Sequence, residues 1–173
     1  MNSALKRILD DPKRSFFVDS SLYANIGEIK KALKLMECRF SDLVEKTLDM
    51  LSVSEKNGTK CIIVSVHDLG FENETPYHEV CARAISLGLQ YCIPTFGPQY
   101  RLWYKSQPEG ECLFVAMGAV SVSNGCPGIF SILNIKNTLW LGWQNGSDTY
   151  LCKPRFRFIF QIPCKSLIPH AKA

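Results

Sequence analysis

His78 and Cys81 stand three residues apart in TPYHEVCARAIS, a spacing that puts two side chains on one face of a helix. An imidazole beside a thiol can act as base and nucleophile, or supply two of a zinc ion's ligands. His67 and Cys92 are the residues that could complete such a zinc site. The recognised zinc spacings are missing, and no C-x-x-C pair occurs in the chain. Cys81 also falls on the apolar side of its helix with Tyr77, Val80, Ala84 and Ile85, where a free cysteine behaves as a small hydrophobe. No metal and no cofactor are therefore expected. A Cys/His-dependent hydrolase or transferase, or a zinc-binding protein, using the His78/Cys81 region stands as the alternative to a non-catalytic protein. His67 and Asp68, at a strand end, form a second catalytic candidate, against which Asp68 reads as a turn residue before Leu69-Gly70.

A second constellation is cationic and aromatic. In GPQYRLWYKSQPEGE, Tyr100, Leu102 and Tyr104 alternate with Arg101, Trp103 and Lys105, which predicts one arm of a β-hairpin over 97–118. In RFRFIFQI, Phe156, Phe158 and Phe160 share one face, and Arg155, Arg157 and Gln161 take the other. Arg101, Trp103, Lys105, Arg155 and Arg157 are thus expected on the exposed face of a sheet, as a binding surface. Trp and Arg are typical interface anchors, so the expected partner is another protein. Single-stranded nucleic acid is the weaker expectation, because the formal net charge is only +4 and no dense basic stripe occurs. Glu72, Glu74, Glu79, Glu109 and Glu111 sit near turn residues, where acids serve solvation, and no phosphate-loop motif is present.

The elements that must position these residues can be read from periodicity. Ile26, Ile29, Leu33 and Met36, then Leu43, Leu48 and Leu51, recur at helical spacing over 20–52. Asn25 with Glu28 resembles a capping box, and Ser41 can cap a second helix over 42–52. The acidic second helix, DLVEKTLDML, argues against a DNA-reading helix-turn-helix. Cys61 to Val66 reads as a buried strand, and Thr75-Pro76 as the start of a helix that Gly88 ends. The fold class expected is α+β: an N-terminal helical hairpin, one strand and a helix, then an antiparallel β-meander of about five strands. Residues 1–55 form a helical N-terminal segment, 56–163 the α+β core, and 164–173 a loose tail.

The chain has 173 residues, 46% of them hydrophobic and 21% charged, which suits one soluble domain rather than disorder. No stretch has the length of a membrane span, and MNSALKRILDDPKRSFF holds no secretory leader core, so no membrane partner is expected. Eight cysteines without a leader predict reduced, mostly buried thiols and a cytoplasmic location. Asn57-Gly58-Thr59, Asn73-Glu74-Thr75 and Asn145-Gly146-Ser147 match the glycosylation pattern and read as turns.

LGLQYCIP (87–94), GPQYRLWYKSQPEGE (97–111), CLFVAMGAV (112–120), LWLGW (139–143) and RFRF (155–158) follow one another in order. In this the segment Tyr77–Phe160, about half the chain, resembles an uncharacterised family of bacterial proteins. The resemblance implies a bacterial or phage-like origin and a cytoplasmic globule. It implies no reaction, ligand or site residue.

Overall fold

The computed structural model describes residues 8, 11, 14–19, 21–53, 58–121 and 125–163, and nine strands and four helices are delimited among these described residues. The strands are β1 (Ser15–Val18), β2 (Thr59–Ser65), β3 (Thr75–Pro76), β4 (Cys112–Val115), β5 (Val120–Ser121), β6 (Pro127–Ile135), β7 (Thr138–Asn145), β8 (Leu151–Cys152) and β9 (Arg157–Gln161). The helices are α1 (Ile26–Leu35), α2 (Asp42–Asp49), α3 (Tyr77–Ser86) and α4 (Phe96–Trp103). Seven strands form one sheet in the order β1-β2-β9-β4-β6-β5, with β7 also paired to β6. Only the β4–β9 pair is parallel. The molecule is therefore a mixed α+β protein with a mostly antiparallel sheet. Within 164–173, which lie outside the described residues, falls the expected tail.

Two helices are set by local chemistry. The Asn25 side chain accepts from Glu28 N, and Glu28 reaches back to accept from Ala24 N, fixing the start of α1. Ser41 Oγ accepts from Val44 N and starts α2. Lys30 spans to Asp49 (2.6 Å) and Lys34 to Glu45 (3.1 Å), joining the two helices by surface ion pairs. Gly88, at φ 94°, lets the chain turn left-handed after α3, and Leu89 N closes the helix end on Ala84 O.

Four expectations are corrected. Residues 97–103, expected in the first arm of a β-hairpin over 97–118, lie in helix α4, whose residues from Phe96 to Leu102 are all buried. Ser15–Val18, expected in a helical segment, is a strand that pairs with β2 along its length. Thr75-Pro76 does not open α3: it pairs with Leu151 and Cys152, and α3 begins at Tyr77 without a side-chain cap. The closing strands are not a simple meander. β6 and β7 form a tight hairpin at Lys136 and Asn137, both at positive φ as a type I′ turn requires. β9 instead leaves that hairpin and inserts between β2 and β4.

The two faces of the sheet carry different helices. Phe16, opposite Cys61 in register, packs its ring on Tyr100 of α4 at 5.2 Å. Phe158, opposite Val64, packs on Tyr77 of α3 at 5.7 Å. Cys61 and Val64 differ by an odd number of residues along β2, so α4 and α3 lie on opposite faces. The α4 face is set by one close approach. A Cβ on Gly97 would sit 2.8 Å from both Cβ and Cγ of Phe130 on β6. Phe130 is itself fully buried, with its ring edge-on to Trp143 at 5.0 Å, and has no room to retreat. Gly97→Ala is expected to lower stability by about 1–3 kcal/mol through overpacking, read as a fall in the urea midpoint. An unchanged midpoint would contradict this placement of α4.

Candidate functional site

The first cationic candidate, Arg101, is not at the surface. It lies on α4, fully buried, and its guanidinium donates to the Gln107 side-chain oxygen, to Tyr104 O and to Leu133 O. Gln107 passes the connection on, donating to Ile132 O (3.0 Å) and Glu111 O (3.2 Å). Asn134 donates back to Gln107 O (2.7 Å), and Gly110 N to Asn134 O (2.9 Å). Loop 104–111 is thereby tied to the end of β6. Burial pulls the guanidinium's pKa down from the ordinary arginine value, yet an arginine keeps its charge in a protein. The cation is held by carbonyl and amide oxygens, with no carboxylate in contact with it among the described residues. Its expected place on an exposed sheet face is corrected: Arg101 organises the interior.

The other four candidates separate. Trp103, at the last position of α4, stacks on Phe16 (5.4 Å) and Tyr100 (5.6 Å) yet stays 45% exposed. Lys105 follows it and is exposed, with no carboxylate pairing to it among the described residues. Arg157 lies elsewhere, lining a cleft of about 320 Å³ with Arg14, Ser65 and Asp68. There Arg157 donates to Glu111 Oε1 (2.6 Å) and Arg14 to Asp68 Oδ2 (2.7 Å), so each guanidinium meets a carboxylate. Arg155 is exposed in the turn before β9. Of the five, only Trp103 and Lys105 come together at one hollow.

That hollow is a trough beside α1. A cavity of about 380 Å³ reaches from Asp19 and Leu22 to Trp103, and one of about 410 Å³ reaches from Leu35 and Met36. Both are lined by Tyr23, Leu102 and Lys105, so the two hollows are neighbours along one side of α1. Leu22, ahead of α1, is 67% exposed, and Leu35, at the end of α1, is 77% exposed, against 44% for Ile85 on α3. Periodicity missed these residues. Leu35 falls outside the Ile29, Leu33 and Met36 stripe, almost opposite Leu33 on α1, and a leucine there was its one visible signal. Leu22 and Tyr23 precede the helix and gave none.

The thiol candidates are arranged for packing. Cys81 is fully buried, while His78 is exposed and its Nδ1–H donates to Asp148 O (2.8 Å). Burial pushes the Cys81 thiol pKa up, away from thiolate, with Tyr77 and Tyr91 as its side-chain partners. Cys92 is raised well above an ordinary thiol by complete burial, and donates to Ile159 O. Burial also pushes Cys38 and Cys112 up to about 11 and Cys152 up to about 12. No group of three or more His, Cys, Asp or Glu among the described residues could hold a metal ion. His67 is exposed, and Asp68 accepts from Ser65 N (2.8 Å) and Arg14, in the turn that Gly70 completes at φ 98°.

Fold and trough together describe a mixed α+β protein with exposed apolar side chains beside two hollows and five buried cysteines. Compared with known proteins, the chain matches no family model, no curated protein and no solved structure. No described helix is long and apolar enough to cross a membrane.

Two outcomes follow. Arg101→Met leaves the Gln107, Tyr104 and Leu133 acceptors buried without their donor, at a cost of at least about 2 kcal/mol. Arg101→Lys keeps the charge, loses the planar fork, and also destabilises. A solvent-facing arginine would instead change the denaturation midpoint by no more than about 0.5 kcal/mol. For Asp68, burial raises the carboxyl pKa, but the Ser65 and Arg14 contacts outweigh it and hold it below the ordinary 3.8. A folded-state value below the unfolded one gives stability that is complete above pH 3.8 and is lost as pH falls through the depressed value. Asp68→Asn is expected to cost about 1 kcal/mol at neutral pH and to narrow the gap from wild type under acid. A constant gap from pH 7 to pH 2 would contradict it.

Proposed function

We propose that this chain is a non-catalytic binding domain that engages another protein through the trough between α1 and the end of α4. The observation that carries the reading is the pair of neighbouring cavities that share Tyr23, Leu102 and Lys105, one edged by exposed Leu22 and Trp103 and the other by exposed Leu35. Exposed apolar side chains clustered over a hollow are costly to leave wet, and they gain most when a partner's side chains fill it. The working surface is thus the edge of the helical layer. The five buried thiols, packed as small hydrophobes, support a cytoplasmic setting.

A Cys/His hydrolase draws no support from a thiol that burial keeps protonated beside an imidazole that faces solvent. Nucleic acid would ask Trp103 and the arginines to share one surface, but Trp103 and Arg157 line different cavities.

A photoreactive residue placed at Leu35, and separately at Arg155, tests the reading in the organism of origin. Adducts are expected from position 35 and not from 155. The adduct partner, once purified, is expected to bind wild type at least about tenfold more tightly than Trp103→Ala, and to bind Arg155→Ala like wild type. Equal binding by all three would contradict the proposal.

A further inference from the structure

Resting on the reading of the trough as a protein-docking surface, its charge distribution points to what it receives. Lys30 and Lys34 are neutralised by Asp49 and Glu45 on α2, whereas Lys31 and Lys105 are exposed with no carboxylate pairing to either among the described residues. Lys105 lines both cavities, and Lys31 shares the surface on the other side of Leu35. Among the described residues, the one acid lining the trough is Asp19, at its far end. There one oxygen, Oδ1, accepts from both Ser21 N (2.9 Å) and Ser21 Oγ (2.6 Å), bonds that hold the carboxyl below its ordinary pKa and keep it anionic.

We infer that the occupant is an acidic amphipathic peptide segment of a partner protein. Its apolar side chains enter the two cavities, a carboxylate meets Lys105, and a second acidic residue lies toward Lys31. A basic residue falls only at the end that passes Asp19, so the charge order fixes the direction in which the segment lies. Concavity argues against a lipid surface, which is gripped by protruding apolar side chains rather than by hollows that must be filled. Shape argues for side-chain anchors presented at intervals, as an amphipathic helix presents them.

The test uses the full chain and a displayed library of amphipathic helical peptides of all charge patterns, followed by binding titrations of the best synthetic peptide. Wild type is expected to enrich peptides that carry acidic residues between their apolar positions. Lys105→Glu should weaken the best peptide at least about tenfold, and its own selection should turn toward basic sequences. Leu35→Asp, at a site 77% exposed and so harmless to folding, should weaken every enriched peptide, as should Trp103→Ala. Enrichment that depends on Leu35 and Trp103 but shows no acidic preference would overturn this inference while leaving the docking trough standing. No enrichment over the Leu35→Asp variant would overturn both. Binding to phosphatidylserine–phosphatidylcholine vesicles with no peptide enriched would assign the surface to a membrane. Concentration-dependent dimers abolished by Leu35→Asp, again without enrichment, would assign it to a second copy. Either of these last two results overturns the inference.

Discussion

A guanidinium with no carboxylate beside it, removed from water, is tolerable only where several acceptors replace its hydration. At Arg101 those acceptors are Gln107, Tyr104 O and Leu133 O, which belong to the C-terminal end of α4, the loop after it and strand β6. The hydrogen bonds of its two terminal nitrogens therefore fix three parts of the chain relative to one another. Gln107 and Asn134 extend the same network, Gln107 donating to Ile132 O and Glu111 O and Asn134 to Gln107 O. A hydrophobic residue at position 101 could fill the volume, but it would leave the loop nothing to close on. The GPQYRLWYKSQPEGE stretch is best understood as one structural device. Gly97 brings α4 down onto Phe130, Arg101 anchors it, and Gln107 and Gly110 return the chain to the sheet.

The trough is a consequence of that device. Once Arg101 is turned inward, the next residues outward are Leu102, Trp103 and Lys105, and α1 runs alongside them through Ala32, Leu35 and Met36. Trp103 is held at its position by stacking on Phe16 and Tyr100, so this wall of the hollow is preformed. The ion pairs between α1 and α2 brace the opposite wall. The cleft at Arg14 and Arg157 differs in kind, because its cations already meet Asp68 and Glu111.

What the sequence made legible follows the reach of the physics involved. Asn25, Ser41 and Gly88 act within four or five residues, and the ends they mark were visible. β2 was visible because strands buried on both faces show continuous apolar runs. Helix α4 was not, because a helix buried all round carries no 3.6-residue polar stripe, and six residues of chance alternation imitated a strand. The insertion of β9 between β2 and β4 is a pairing across about a hundred residues of chain, which no local pattern encodes. For the site, Trp103 and Lys105 were found for their chemistry, although on the wrong element. Arg101 was misplaced because an arginine reads as exposed unless its buried acceptors are known.

The burial of the Arg101 guanidinium can be measured directly by nuclear magnetic resonance of uniformly ¹⁵N-labelled protein at neutral pH. The account predicts an arginine side-chain Nε–H signal, absent from Arg101→Lys, that exchanges with water far more slowly than those of Arg14, Arg155 and Arg157. It also predicts separately resolved terminal guanidinium protons for this residue, because hydrogen bonds to Gln107 and Tyr104 hinder rotation. Rapid exchange matching the surface arginines would mean that Arg101 faces water, and the account of α4, its loop and the trough beside them would fall together.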